Sequence, residues 1–345
     1  MKIALLTIWK VGNFGAEMQT YATVKALQQL GHEVVVIDYR LDELYGWRGY
    51  INAALTSLTP ARHKFNRFWT THIPSTKHYH SFAELQASPP QADLYLVGSD
   101  QVWNPAITKE KCLDFFLGFL QNNARRLAYA SSFGVSKWSA EPVLTERIKE
   151  LLSLFDRVSC REIDGVKILK DTFGLTATHV LDPTLLFSGY PELTGNTIPK
   201  KTFVYYPLFG GKEMENFCKN TAQMLNLEYI DNNHRTLWLK HRIWNRLSVE
   251  AWIRNFAEAQ FVATQSFHGT AFSLIYRKQF FTVYDGNKVS RIANLLEMLG
   301  IRDRLFPTVA AAREARPWEN PINYVEVDKR LKEMRNVSWD FLKSL

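Results

Sequence analysis

The sequence predicts an α/β protein built from two Rossmann-like halves, and three observations carry that expectation. Short apolar runs rich in β-formers alternate with stretches whose apolar residues recur at helical spacing, the pattern of βαβ units and a parallel sheet. The alternation runs twice, once from Lys2 and again from Thr202. Between the two, Gly189, Pro191, Gly195, Asn196 and Pro199 cluster within Ser188 to Lys201, which reads as a linker. At 345 residues, 46% hydrophobic and 22% charged, the chain is long enough to bury a core in each half.

Lys2 to Trp9 reads as a buried strand and Lys10 to Gly15 as the loop after it. Ile3 to Trp9 has the length of a signal-peptide core, but Gly12, Asn13, Phe14 and Gly15 stand where a cleavage site would lie. From Ala16 to Leu30 one helical face carries Met18, Ala22, Ala26, Leu27 and Leu30, and Gly31 stops the helix. Glu33 to Tyr39 is the next strand, completing a right-handed βαβ unit. The loop lacks the GxGxxG spacing of a dinucleotide site; its glycines either shape the turn or let backbone approach a ligand.

Leu41 to Pro90 shows no α/β rhythm and interleaves Arg48, Arg62, Lys64, Arg67 and Lys77 with Trp47, Tyr50, Phe65, Phe68 and Trp69. Pro60 to Thr70 predicts a basic amphipathic helix, which suits either an anionic membrane surface or packing on its own domain. His78 and His80 read as part of a solvated loop, without metal-ligand spacing.

Asp93 to Gly98 is again a strand, and Gly98-Ser99-Asp100-Gln101-Val102-Trp103-Asn104 follows at its C-terminal end. Asp100 could take a proton from a sugar hydroxyl, Gln101 and Asn104 could orient the sugar, and Trp103 could stack on its apolar face. The alternative is an Asx-type turn with a buried Trp. Arg126 to Ala130 and Arg157 to Glu162 are further strands, with helices at Leu144 to Phe155 and Asp164 to Phe173. Arg161 suits bidentate recognition of a carboxylate or phosphate, or else an internal salt bridge with Glu162 or another acid. Asp182, before Pro183, reads as a turn residue.

In the second half the expected elements are a strand at Thr202 to Pro207, a helix at Lys212 to Leu225, a strand at Glu228 to Asp231 and a helix at Ser248 to Ala259. Phe261 to Thr264 is then a strand, Ala271 to Tyr276 is helical, Phe280 to Tyr284 is a strand, and Ser290, Arg291 and Ile292 open the next helix. Tyr324 to Leu345 is a terminal helix. Ser266-Phe267-His268-Gly269-Thr270 places small residues, backbone N–H groups and one imidazole where a strand gives way to a helix, a ready anion site.

The net charge of +8 suits an acidic partner: a phosphorylated substrate, an anionic membrane or nucleic acid. No nucleic-acid motif accompanies the scattered basic residues, and no apolar run reaches the roughly eighteen residues of a spanning helix. Cys112, Cys160 and Cys218 are far apart and odd in number, which argues for a reducing compartment and against structural zinc.

SFHGTAFS, GSDQVWN, SCRE and LDPTLLF together resemble the motifs of the polysaccharide pyruvyl transferase family, and GNFGAEMQTYA resembles its glycine loop, where the family tends to have GNYGAVLQAYA. The likeness runs from Gly12 to Arg291. Glu17 departs from it, as does Gln265, where Asp is expected; Ser266 stands where some branches carry Arg.

The resemblance implies a glycosyltransferase-B-like architecture. Two domains, 1–188 on the acceptor side and 202–323 carrying the donor motif, would face each other across a cleft, joined by a linker at 189–201. The helix 324–345 would pack back on the first domain. It implies transfer of the pyruvyl group of phosphoenolpyruvate to two hydroxyls of a sugar, with phosphoenolpyruvate as donor substrate and neither cofactor nor metal.

His268, Asp100 and Glu162 would be catalytic. Arg161, Ser266, Gly269, Thr270 and Arg291 would bind the donor, and Asn13, Gln101, Trp103 and Asn104 the acceptor. The expected acceptor is a polyprenyl-diphosphate-linked sugar at the cytoplasmic face of a membrane, with peripheral contact to anionic lipid. Two other readings stay open: a nucleotide-sugar-dependent glycosyltransferase of this architecture, and a non-catalytic glycan- or anion-binding relative.

Overall fold

The computed structural model describes residues 1–41, 55–208, 211–238, 242–284 and 290–345. Trp47, Arg48 and Tyr50 lie outside the described residues. The fold is α/β with two Rossmann-like units. One comprises Met1–Tyr50, Arg67–Leu186 and Met334–Leu345, the other Ile51–Asn66 and Phe187–Glu333.

The first unit holds a parallel sheet of β1 (Lys2–Leu6), β2 (Glu33–Tyr39), β3 (Ser75–Tyr79), β4 (Leu94–Val97), β5 (Arg126–Ser131), β6 (Arg157–Cys160) and β7 (Thr178–His179). The order is β3-β2-β1-β4-β5-β6-β7. Its direction reverses between β1 and β4, so the loops after these two strands flank the switch point where ligands bind in open α/β sheets. β4 and β5 are buried throughout and β1 is buried after Lys2, and all three are largely apolar, as central parallel strands require.

The helix Phe14–Gln29 buries most of its length, starting at an Asn13 cap. The helix Pro60–His72 buries Phe65, Phe68 and Trp69. Its aromatics are therefore not presented to a bilayer. His78 lies on β3, its Nδ1 3.3 Å from an Asp38 oxygen, rather than in a solvated loop.

The second unit holds β8 (Thr202–Tyr206), β9 (Glu228–Asp231), β12 (Phe261–Thr264), β13 (Gln279–Val283) and β14 (Leu305–Phe306), all parallel, in the order β14-β13-β12-β8-β9. Here the switch point falls between β8 and β12. β10 (Arg235–Trp238) and β11 (Arg242–Arg246) form a separate antiparallel ribbon that the sequence reading does not anticipate.

The expected linker is packed: Tyr190 is fully buried with its ring 5.9 Å from that of Phe272, and Pro191–Thr194 is a helical turn. The terminal helix Tyr324–Lys343 ends in the first unit. There Arg335 Nε donates to the Leu185 carbonyl at 2.6 Å, and the Ser338 hydroxyl accepts from Leu181 N at 2.9 Å.

Candidate functional site

In the first unit the loop after β1 is held from within. Glu17 is fully buried in the first turn of the helix, where a carboxylate suits the dipole. It accepts the amides of Lys10 at 3.3 Å and Gly12 at 3.1 Å, and the Trp69 indole N–H at 2.6 Å. Lys10 and Gly12 both have left-handed backbone, φ 58° and 66°. Asn13 uses its Oδ1 to cap Gly15 N and Ala16 N, the ordinary work of an N-cap, so this oxygen is not aimed at an acceptor.

The loop after β4 carries most of the predicted acceptor residues, and the structure separates them. Trp103 is fully buried: its indole donates to the Phe115 carbonyl at 3.1 Å and its ring stacks on Phe116 at 5.2 Å. It cannot stack on a sugar, which corrects that expectation. Asn104 is buried, caps Ala106 N at 3.0 Å and donates to Gln101 Oε1 at 2.9 Å. These two side chains brace the turn, and a Cβ on Gly134 would sit 2.1 Å from Gln101 Oε1.

Asp100 remains. Its φ of 75° is left-handed for a residue with a side chain, and such strain persists where the surroundings impose it, often at functional positions. Oδ1 accepts from Gln101 N at 2.8 Å and from Arg161 Nη2 at 3.4 Å, while the side chain stays 17% exposed.

Arg161, at the end of β6, is enclosed by three carboxylates. Nε bonds Glu162 Oε1 at 2.8 Å, Nη1 bonds Asp182 Oδ2 at 2.8 Å, and Nη2 reaches Asp100. Burial opposes the guanidinium charge, but Glu162, Asp182 and Asp100 outweigh it and hold the pKa above the ordinary arginine value. The expected grip on a donor anion is thus replaced by the internal ion pair that the sequence also allowed.

Glu162 Oε1 takes the Ser132 hydroxyl at 2.8 Å as well. Asp182, read from sequence as a turn residue, accepts from Ser99 Oγ at 3.0 Å and from both N and Oγ1 of Thr184. Among the described residues one guanidinium meets three acids here, so they carry net negative charge, with Asp100 part-exposed and Glu162 buried. The cluster suits proton abstraction rather than anion capture.

The second unit has the opposite sign. The helix Phe267–Ile275 follows β12, with Ser266 as N-cap taking Gly269 N at 3.5 Å. His268 lies in its first turn, 9% exposed, its ring edge-on to Phe267. Gly269 is dictated by packing: a Cβ there would stand 2.1 Å from Thr264 Oγ1. The close approach is to the side chains of Thr264 on β12 and Tyr206 on β8. Thr270 is fully buried, its hydroxyl shared between Ser266 O and Thr282 Oγ1, so it offers nothing outward. Gln265 Oε1 accepts from Tyr205 at 3.3 Å.

Around this turn stand Arg291, expected from the sequence, and two cations that spacing alone does not identify, Arg246 and Arg235. Arg246 Nη2 donates to Asn233 Oδ1 at 3.1 Å, Arg235 Nε reaches the same oxygen at 3.4 Å, and Asn233 is tied to the Pro207 carbonyl just after β8. Burial pushes the Tyr206 hydroxyl up, and the charges of Arg246 and Arg235 pull it back to about 12, so both act at the C-terminal end of β8. At the end of β13, burial raises Tyr284 while the Arg291 charge opposes it. An anion is favoured at this mouth, where arginines, an imidazole and a helix N-terminus coincide.

A sequence model of the polysaccharide pyruvyl transferase family matches residues 13–287. The chain belongs to that family. The match includes every candidate residue named above except Arg291, and makes this family member a transferase. Comparison with curated proteins finds no match.

Among solved structures, this pyruvyl transferase family member is similar to a putative UDP-N-acetylglucosamine 2-epimerase from Listeria monocytogenes: 11% identity, TM-score 0.54, covering 96% of this chain and 91% of that one. It is also similar to the S. aureus MnaA–UDP co-structure, at 13% identity and TM-score 0.52, covering 97% and 90%. At such identities the likeness concerns the fold, which is the glycosyltransferase-B type with two Rossmann-like domains.

Proposed function

We propose that this protein transfers the pyruvyl group of phosphoenolpyruvate onto two hydroxyls of a sugar, giving a cyclic ketal and inorganic phosphate. The family match over 13–287 is the observation that carries the reading, and the opposite charges of the two strand mouths support it. Phosphoenolpyruvate brings a carboxylate and a phosphate, which suit Arg246, Arg235, Arg291 and the helix start at His268. The first acceptor oxygen bonds to C2 while C3 is protonated to a methyl group. The second oxygen then displaces phosphate from C2, and its proton leaves with the phosphate.

Imidazole, with a reference pKa of roughly 6.5, donates near neutral pH, so His268 is the proposed acid toward C3 or a phosphate ligand. Asp100 or Glu162 is the proposed base toward the acceptor hydroxyls. We assign the acceptor to a lipid-linked sugar at the cytoplasmic face of a membrane, as the resemblance implies, and the arginines supply the charge without a metal.

Phosphate release from phosphoenolpyruvate is measured with and without a panel of lipid-linked and model glycosides. Release should depend on acceptor, and His268→Ala should lower it by about 10²- to 10⁴-fold. Arg246→Gln should raise the KM for phosphoenolpyruvate about tenfold with a smaller effect on kcat, the cost of one charge-assisted bond. A thermal shift with nucleotide sugars and none with phosphoenolpyruvate would instead favour a glycosyltransferase. Donor binding without release across the whole panel would favour a non-catalytic relative.

A further inference from the structure

The ribbon of β10 and β11 keeps apolar side chains outside. Leu237 is 59% exposed and Trp244 40% exposed, although Phe65, Phe68 and Trp69 of the helix whose Lys64 braces the ribbon are buried. The register explains part of this. Thr236 pairs with Asn245 and Leu237 with Ile243, so Trp244 is the extra residue of a bulge and is turned out of the ladder. The Trp238 and Trp244 rings lie 5.7 Å apart and form one aromatic patch.

The described residues of the ribbon, 235–238 and 242–246, carry Arg235, Arg242 and Arg246 and no Asp or Glu. The base of the ribbon is fixed: Lys64 Nζ donates to Asn245 Oδ1 at 2.9 Å and to the Arg246 carbonyl at 2.8 Å, and the Arg246 guanidinium lies 5.0 Å from the Phe65 ring centre. A fixed base below strands that expose Leu237, Trp244 and Arg235, with Arg242 half-buried, is not what a solvated hairpin needs, since a two-stranded ribbon is marginal in water.

Indole rings favour the headgroup region of a bilayer, aliphatic side chains favour the acyl boundary beneath it, and Arg favours anionic headgroups. We infer that this ribbon is an interfacial contact that docks the second unit on an anionic lipid surface. The basic patch selects lipid over a second copy of the chain, whose ribbon would bring like charge against like. The polysaccharide reading supplies only a reason to visit a membrane, and the test uses neither donor nor acceptor, so each can fail alone.

The full chain is sedimented with phosphatidylcholine vesicles, with and without phosphatidylglycerol. Binding should require phosphatidylglycerol and weaken as salt is raised. It should fall about tenfold or more in the Leu237→Ser/Trp244→Ser variant and in Arg242→Glu, with unchanged melting temperature. Arg242→Glu keeps the apolar patch intact and so reports charge should the double variant fold poorly. The inference is overturned if the wild-type chain ignores phosphatidylglycerol or if both variants bind as well as wild type. It is equally overturned if light scattering finds a dimer that the variants dissolve, with no vesicle binding.

Discussion

Arg161 and Asp100 meet in one ion pair yet should behave oppositely when changed. Arg161 is the sole cation bonded to Glu162, Asp182 and Asp100 among the described residues, and its side chain is 1% exposed. Arg161→Met should destabilise the fold by about 3–5 kcal/mol, because it strands buried carboxylates. A urea midpoint within error of wild type would refute this. Asp100 is rim-exposed and strained, so Asp100→Gly should leave stability equal or higher by about 1 kcal/mol while lowering turnover about 10²-fold or more. Melting and phosphate release on one sample decide it; full activity would remove Asp100 as base. Trp103→Phe, in contrast, should lower stability and leave the acceptor KM unchanged. The sequence brought these residues into view as one cluster. It could not orient them, since an irregular loop has no period to say that Trp103 turns inward and Asp100 outward. Nor does spacing reveal that Asp182, 21 positions after Arg161, closes the ion pair.

Elements with strong apolar content were legible: β1, β2, β4, β5, β8, β12 and β13 follow from buried runs between helical stretches. β3 was not, because Ser-Thr-Lys-His-Tyr is an edge strand with only Tyr79 buried, and the β10–β11 ribbon is half exposed for the same reason. The glycine loop shows how one side chain fixes an element. Glu17 receives three N–H groups that a valine, the family-like residue, would leave unmet. Glu17→Val should therefore cost about 2–4 kcal/mol and speed exchange of the Lys10 and Gly12 amides more than about tenfold. Hydrogen exchange that stays as slow as in wild type would show that the loop is held by other means. Gly269→Ala tests the second unit in the same way, with about 1–3 kcal/mol expected from overpacking against Thr264.

At the scale of the whole molecule, domain membership was only partly readable, because 51–66 joins a unit remote from it in sequence through packing rather than composition. Stability as a function of pH belongs to this scale as well, and two buried carboxyls of the first unit pull it in opposite directions. At Asp38 burial pushes the carboxyl up, but hydrogen bonds and charges from Arg40 and Lys10 prevail and leave it at about 2, below its ordinary 3.8. At Asp114 burial wins over the Tyr39 hydroxyl bond of 2.6 Å and the Lys111 charge, raising the carboxyl to about 6. The depressed group contributes stability above pH 3.8 that is lost as pH falls toward 2. The raised group contributes stability that is complete below pH 3.8 and disappears as pH rises through 6. Asp114→Asn keeps an acceptor for Tyr39 but cannot ionise. Relative to wild type it should gain about 2–3 kcal/mol between pH 4 and pH 7, the free energy of roughly two pKa units. Urea unfolding at both pH values measures the gain. A variant-to-wild-type difference that is the same at pH 4 and pH 7 would mean that Asp114 titrates in the native protein as it does in the unfolded chain.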